Sequence, residues 1–350
     1  ISTQNLYERQ IKDVVLTVLP ATDCDKIYND TGDYISDLGT PSVGSIGGEW
    51  MALGLARSGR AVPDGYYDAV VEYVQAHADA NERLHRSKST DNSRLILALT
   101  AIGKDVTNVG GHNLLKGLDN MAYIQKQGIN GPIWALIALD SRNYPMPQNP
   151  QAKTQATRQM DVDRILSRQL SDGSWSLSGE GSGDVDVTAM ALQALSRYTD
   201  QAAVKTGVDR ALSWLSGQQQ ADGGFATGGA ANAESCAQVV VALESLGLPL
   251  TDSRFVKGGA TVLNALLGYQ LPDGSFCHVK NGGSNLMATE QSLYALAAVK
   301  RAEQGESGLY VMEGLETASR NTSEVGTLIV GWSARTIATV ALTAAFASPK

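Results

Sequence analysis

The chain has 350 residues, of which 43% are apolar and 18% charged, and it holds 36 glycines. That balance excludes a disordered chain, and the length exceeds one compact core unless the core is spread along a repeat or around a ring. Acidic residues outnumber basic ones 36 to 28, and the lysines and arginines are scattered rather than striped along one helix, which excludes nucleic acid as a partner.

From the amino end, apolar periodicity predicts amphipathic outer segments alternating with nearly uncharged inner ones. The outer segments are Leu6–Leu19, Tyr66–Ala78, Leu114–Gln127, Val162–Leu170, Val208–Gln218 and Val256–Gln270. The inner segments are Glu49–Ser58, Ser93–Ile102, Pro132–Leu139, Asp186–Tyr198, Glu234–Leu246 and Thr289–Val299. Thr22–Gly48, Asn143–Gln151, Ser176–Gly183 and the tail from Glu303 read as loops. Within that tail, Val325–Ala347 carries one charge, Arg335, at mid-segment, and reads as a buried closing helix rather than a membrane span. The chain begins at Ile1, which leaves open a removed leader and therefore export. Cys24, Cys236 and Cys277 are too few for a disulfide framework, and their odd number leaves at least one thiol free or paired between chains.

Three segments repeat one pattern: Asp172-Gly173-Ser174-Trp175, Asp222-Gly223-Gly224-Phe225 and Asp273-Gly274-Ser275-Phe276. Each follows a helix-like run ending in glutamine and precedes an alanine-rich apolar helix. Spacings of 50 and 51 residues describe a helix-turn-helix unit that buries its apolar face only by stacking on copies of itself. The first inner segment, Trp50 to Ala56, is as apolar as those in the middle, so it has neighbours on both sides. The expected fold is therefore all-α: an (α/α)6 toroid of six outer-inner hairpins over residues 1–303, with 304–350 as a helical extension packed on it.

At motif level the chain resembles the prenyltransferase and squalene-cyclase repeat superfamily, whose repeats show an aromatic residue, a later glutamine and Gly-x-Trp, as in Trp214, Gln218 and Gly223-Gly224-Phe225. Gly48-Glu49-Trp50, Asp184 to Leu192 and Ala288-Thr289-Glu290-Gln291 look like bacterial cell-surface proteins related to the helical domain of intrinsic factor and transcobalamin. The resemblance implies six parallel inner helices whose amino ends share one face. Glu49, Asp91, Asp186, Glu234 and Glu290 then stand at or near helix starts, where a carboxylate complements the dipole. Plain capping, at about 0.5 to 2 kcal/mol each, competes with a ligand-facing role. Candidate ligand-lining residues are Glu49, Trp50, Arg94, Trp134, Asp186, Glu234 and Glu290. Core packing explains the two tryptophans equally well, whereas a half-buried Arg94 requires an anionic partner, expected among the ring acids.

The leading expectation is a non-enzymatic extracellular or cell-surface binding domain, free of cofactor, that holds a small ligand, such as a corrinoid, or a surface partner. Other domains of a larger surface protein are expected beside it. An enzyme stands as the alternative, because Asp184-Val185-Asp186-Val187-Thr188-Ala189 is similar to the Asp-x-Asp-Asp-Thr-Ala motif of class II terpene cyclases, with Asp186 as general acid. Val187 replaces the acid-strengthening aspartate, and five tryptophans and four phenylalanines are few for a cavity that stabilises carbocations. A zinc site of Cys236, Cys277 and His278 resembles that of lanthipeptide cyclases, but a small buried cysteine and a loop histidine fit better. Asp23, Asp25, Asp30, Asp33 and Asp37 lack calcium-loop spacing and read as solvated loop acids. His77, His85 and His112 have no partners at ligand spacing. The third expectation is a scaffold with no ligand.

Overall fold

The computed structural model describes residues 23–315. The expected helices at Leu6–Leu19 and Val325–Ala347 lie outside the described residues. The helices are α1 (Cys24–Asp37), α2 (Trp50–Arg57), α3 (Gly65–His77), α4 (Thr90–Ala101), α5 (Met121–Ile124) and α6 (Asn130–Asp140). They continue as α7 (Arg158–Leu166), α8 (Val185–Leu195), α9 (Ala202–Gln218), α10 (Ala233–Ser245), α11 (Val262–Leu267) and α12 (Leu286–Glu303). Two hairpins accompany them: β1 (Ala226–Thr227) with β2 (Ala230–Ala231), and β3 (Val256–Lys257) with β4 (Ala260–Thr261). Each is turned by a Gly-Gly pair at positive φ, the backbone that a two-residue hairpin turn demands.

The even-numbered helices form the inner ring. Each packs on the next, from α2 through α12, and α12 packs back on α2. Gly54 admits this last contact, since a Cβ there would lie 3.4 Å from Leu293. Inner helices such as α6, with ten of eleven residues buried, are apolar all round because they have neighbours on every side. Residues from the amino-terminal half of all six line one cavity, and the carboxyl ends of α6, α8 and α10 line another, so the inner helices run in the same direction. The fold is an α/α toroid.

The repeated turn explains how hairpins join. Asp172 Oδ1 accepts from Ser174 N at 3.0 Å, Asp222 Oδ1 from Gly224 N at 3.0 Å and Asp273 Oδ1 from Ser275 N at 3.0 Å, which tightens each turn. The preceding glutamine reaches onward to the next outer element. Gln169 Nε2 donates to the Gly173 and Gly207 carbonyls, both at 2.8 Å. Gln219 Nε2 donates to Gly223 at 3.0 Å and Phe255 at 2.9 Å. Gln270 Nε2 donates to the Ile27 carbonyl and Thr31 Oγ1, both at 3.3 Å. At the last hairpin both bonds of the glutamine therefore go to α1 rather than to its own turn, and this contact closes the ring. Trp175, Phe225 and Phe276 follow the turns into the core with no exposed surface.

This staple corrects one expectation: Cys24–Asp37 is not loop but the outer helix of the first hairpin. Asp23 caps it by accepting from Lys26 N at 3.0 Å. Two predicted outer helices are also broken. Leu114–Gln127 becomes two 3-10 turns around the single turn α5, because Asn113 and Asn120 each cap a new start and Gly117 presses against Asn92. Val256–Gln270 begins as the β3–β4 hairpin, since Gly258 and Gly259 hold positive φ.

After α12, residues 305–315 cross the carboxyl end of the ring. Arg57 Nη2 donates to the carbonyls of Gly308 at 2.9 Å and of Ser307 and Val311 at 3.3 Å. Met312 N donates to the Ser141 carbonyl at 2.6 Å.

Gln219→Ala is expected to cost about 2–4 kcal/mol, because two buried carbonyls lose their donor. Urea denaturation at unchanged slope measures it, and a loss near zero would remove the staple from the account. Gly274→Ala should destabilise comparably, since φ is +89° and the new Cβ would lie 2.6 Å from the Asp30 carbonyl.

Candidate functional site

The inner-helix amino ends surround a bowl of about 210 Å³. Trp50 and Trp134 share it, with ring centroids 4.8 Å apart and planes tilted by 49°, and Tyr294 lies 6.1 Å from Trp50. Ser45, Thr90, Arg94, Asn130, Met190, Gln238 and Gln291 complete its walls. Of the seven candidate residues, Trp50, Arg94 and Trp134 line the bowl; Glu49, Asp186, Glu234 and Glu290 do not.

Each of those acids is engaged elsewhere. Glu49 is buried, accepting from Gly44 N at 2.9 Å and Arg94 Nε at 3.3 Å. Glu290 is fully buried and accepts from Gly47 N at 2.9 Å. Together the two acids stitch the 44–49 turn to α2 and α12, and Gly47 at φ +70° lets that turn fold back. Burial pushes Glu49 up despite the neighbouring Arg94, and burial with the nearby Glu49 charge pushes Glu290 up to about 8. Asp186 lies beneath the β1–β2 hairpin, accepting from Thr227 Oγ1 at 3.1 Å. Burial, with Asp184 and Glu234 nearby, raises it to about 6. Asp184 caps α8 by accepting from Val187 N at 2.8 Å. Glu234 Oε2 pairs with His278 Nδ1 at 2.8 Å.

Arg94 has the anionic partners its burial requires: Glu49, and Asp91 Oδ1 at 3.0 Å. Asp91, near the start of α4, serves that guanidinium.

The same repeat accounts for the residues of the zinc alternative. Thr188 and Thr289, four residues after the caps Asp184 and Asn285, accept from Trp175 N and Phe276 N at 2.9 Å. Cys236, four after the cap Asn232, holds that position in the intervening repeat, with the Phe225 N–H directed at it, and burial pushes its thiol up to about 12. Cys277 Sγ donates to the Tyr269 carbonyl at 3.2 Å. No group of three or more His, Cys, Asp or Glu side chains among the described residues is arranged to hold a metal ion. The helical acids Asp30, Asp33 and Asp37 flank an open groove beside Asp273. His112 pairs with Glu82 at 2.6 Å, His85 accepts from Ser87 N and Lys88 N at 3.1 Å, and His77 stacks on Tyr73.

The amides that line the bowl carry a signal that cap-centred reasoning passes over. Met190, Gln238 and Gln291 each stand six residues after the helix caps Asp184, Asn232 and Asn285, so they are one repeat position presented three times. Gln238 Nε2 donates to Gln291 Oε1 at 3.0 Å and to Tyr294 Oη at 2.6 Å. The inward face is thus set by repeat register, while the acids at the starts are drawn into local turns.

Comparison with known proteins follows this geometry. The A-macroglobulin TED domain family matches residues 138–242. No curated protein sequence matches the chain. A protein geranylgeranyltransferase-I from Candida albicans, complexed with GGPP, is 12% identical with a TM-score of 0.54, covering 81% of this chain and 94% of that one. A type II terpene cyclase from Scytonema, in complex with the product merosterolic acid A, is 15% identical with a TM-score of 0.52, covering 80% and 97%. The ent-copalyl diphosphate synthase of Streptomyces platensis is 21% identical with a TM-score of 0.46, covering 71% of this chain, which spans 49% of that protein. The first two share the toroid. At such identities the likeness extends to the fold alone.

No helix among the described residues is long and apolar enough to cross a membrane.

Glu290 supplies a pH test. Its folded-state value lies above the ordinary 4.5, so the folded chain binds that proton more tightly than the unfolded one. The contribution is fully present below the unfolded value and is lost as pH rises through about 8. Glu290→Gln, which keeps an acceptor for Gly47 N, is expected to be more stable than wild type at pH 8, with the gap closing toward pH 5 by up to about 1.4 kcal/mol per pH unit. Parallel urea titrations at the two pH values would show a constant gap if Glu290 is not the group responsible.

Proposed function

We propose that this toroid is a binding domain for a small polar ligand held in the amino-face bowl. The observation that carries the proposal is the composition of the bowl's wall: amides from Asn130, Gln238 and Gln291, one guanidinium, and two tryptophans at its centre. Tryptophan faces take the flat side of a ligand, and convergent amides fix its polar edge. Arg94 is the one charged side chain in the wall, and because Glu49 and Asp91 already pair with it, the bowl favours a neutral ligand. The bowl is smaller than the roughly 300–1,000 Å³ of drug-sized sites, so the proposed ligand has the size of a monosaccharide or nucleobase. Only the peripheral amides of a corrinoid would fit inside. The resemblance to cell-surface proteins is the ground for placing the domain outside the cell or on its surface.

A cyclase-like reading rests on Asp186, whose raised pKa of about 6 is a property of a general acid. Against it, Asp186 lies under the β1–β2 hairpin and is absent from the walls of the bowl.

Thermal-shift screening with monosaccharides, nucleobases, cobalamin and geranylgeranyl diphosphate separates these readings, since a ligand of the folded state raises its stability. The hit is expected among the small polar compounds. Met190→Trp, which fills the bowl without removing a hydrogen bond, should weaken that binding at least tenfold, equivalent to about 1.4 kcal/mol. Undiminished binding by Met190→Trp would move the ligand elsewhere, and isoprenoid turnover abolished by Asp186→Asn would make the protein an enzyme.

A further inference from the structure

A second cavity, of about 250 Å³, lies at the opposite end of the ring, between the carboxyl ends of α6, α8 and α10 and the crossing segment 308–311. Its polar groups are unevenly matched. Gln193 is 4% exposed, and its Nε2 is spent twice, on the Gln238 carbonyl and on Gln238 Oε1, both at 3.0 Å. Gln238 passes its own Nε2 to Gln291 and Tyr294, so the amide chain runs one way and Gln193 cannot flip without breaking it. Gln193 Oε1 is left buried with no partner. Tyr310 Oη, also on the cavity wall, is buried and unpartnered.

The charged groups point the same way. Arg197 is occupied by the Asp140 carbonyl at 3.0 Å, Asn143 Oδ1 at 3.3 Å and Glu313 at 2.7 Å. Asp140 is occupied by Arg158 at 2.6 Å and Tyr198 Oη at 2.7 Å. The Glu244 side chain has neither a hydrogen bond nor an ion pair among the described residues. Burial and the facing Glu303 push it up to about 7, as befits a carboxylate lacking a cation. Three helix carboxyl ends add partial negative charge at the same place. Ile137, Ala194, Leu309 and Val311 supply apolar wall.

We infer that this cavity is a second binding site, for a small aliphatic primary amine whose ammonium is received by Glu244 and the Gln193 amide oxygen while its alkyl chain lies on the apolar wall. An ammonium has three donors and no acceptor, which complements the Glu244 carboxylate and the Gln193 amide oxygen, and the Tyr310 hydroxyl oxygen can also accept from it. An alcohol of equal length would offer one donor and no charge. The inference is independent of the ligand proposed for the amino-face bowl.

The test is calorimetric titration of the whole chain with n-butylammonium chloride, beside 1-butanol and beside sodium chloride at equal ionic strength. Saturable binding with one-to-one stoichiometry is expected, with 1-butanol at least tenfold weaker. Glu244→Gln removes a charge that has no partner and should keep the fold, as circular dichroism would verify, while lowering amine affinity at least tenfold. Gln193→Leu should do likewise, and Met190→Trp, which blocks only the opposite bowl, should leave the amine unaffected. Absence of saturable binding, equal binding of 1-butanol, or unchanged affinity in folded Glu244→Gln would each overturn the assignment.

Discussion

The ring depends on one recurrent contact: a glutamine amide beside each Asp-Gly turn that donates to the next outer element, and at Gln169 and Gln219 to its own turn as well. A primary amide has two donor hydrogens about 120° apart, so it can bind two carbonyls that approach from different segments. At the buried Gln219 both bonds are costly to lose. A side chain with one donor could close the turn or reach the neighbour, but not both. Turn glycines make the approach possible, because Gly173, Gly223 and Gly274 lie directly against the backbone of the following outer element at Arg210, Thr261 and Asp30. Where the acceptors are Ile27 and Thr31, this contact joins the two ends of the toroid.

Closure has an electrostatic consequence. Six inner helices with one direction place unsatisfied N–H groups at one mouth and carbonyls at the other. At the amino mouth the acids answer that demand locally: Asp184 caps a helix, and Glu49 and Glu290 hold the turn before α2. Once buried, they no longer face a ligand. The bowl is left to neutral amides, two tryptophans and Arg94, and its chemistry is recognition by hydrogen bonding and flat contact. The carboxyl mouth is covered instead by chain, which Arg57 clamps through main-chain carbonyls.

The interior between the mouths is filled. Trp50 and Trp134 meet at the centre, and Tyr310 approaches Trp134 edge-on from the crossing segment, with centroids 6.2 Å apart. A hollow core of the kind that encloses a long isoprenoid is therefore replaced by two small cavities, joined by the amide chain of Gln193, Gln238 and Gln291. The same superstructure can enclose a substrate or exclude one, depending on which side chains point inward. Fold likeness to cyclases and prenyltransferases thus says little about activity.

Sequence by itself determined the repeat, the alternation of helix types, the all-α class and the toroid, because stacked apolar helices and Asp-Gly turns are local patterns written at regular spacing. It also located Trp50, Arg94 and Trp134, and it required an anionic partner for Arg94. It did not reveal α1, whose four aspartates and capping Asp23 look like a solvated loop until Gln270 and the Gly274 turn are seen to pack on it. Nor did it show that Glu234 turns to His278 or that Cys236 stands where other repeats place threonine. Those outcomes belong to the tertiary structure, since a side chain at a helix start can face the pore, the turn or a neighbour, and only packing against segments far along the chain decides which.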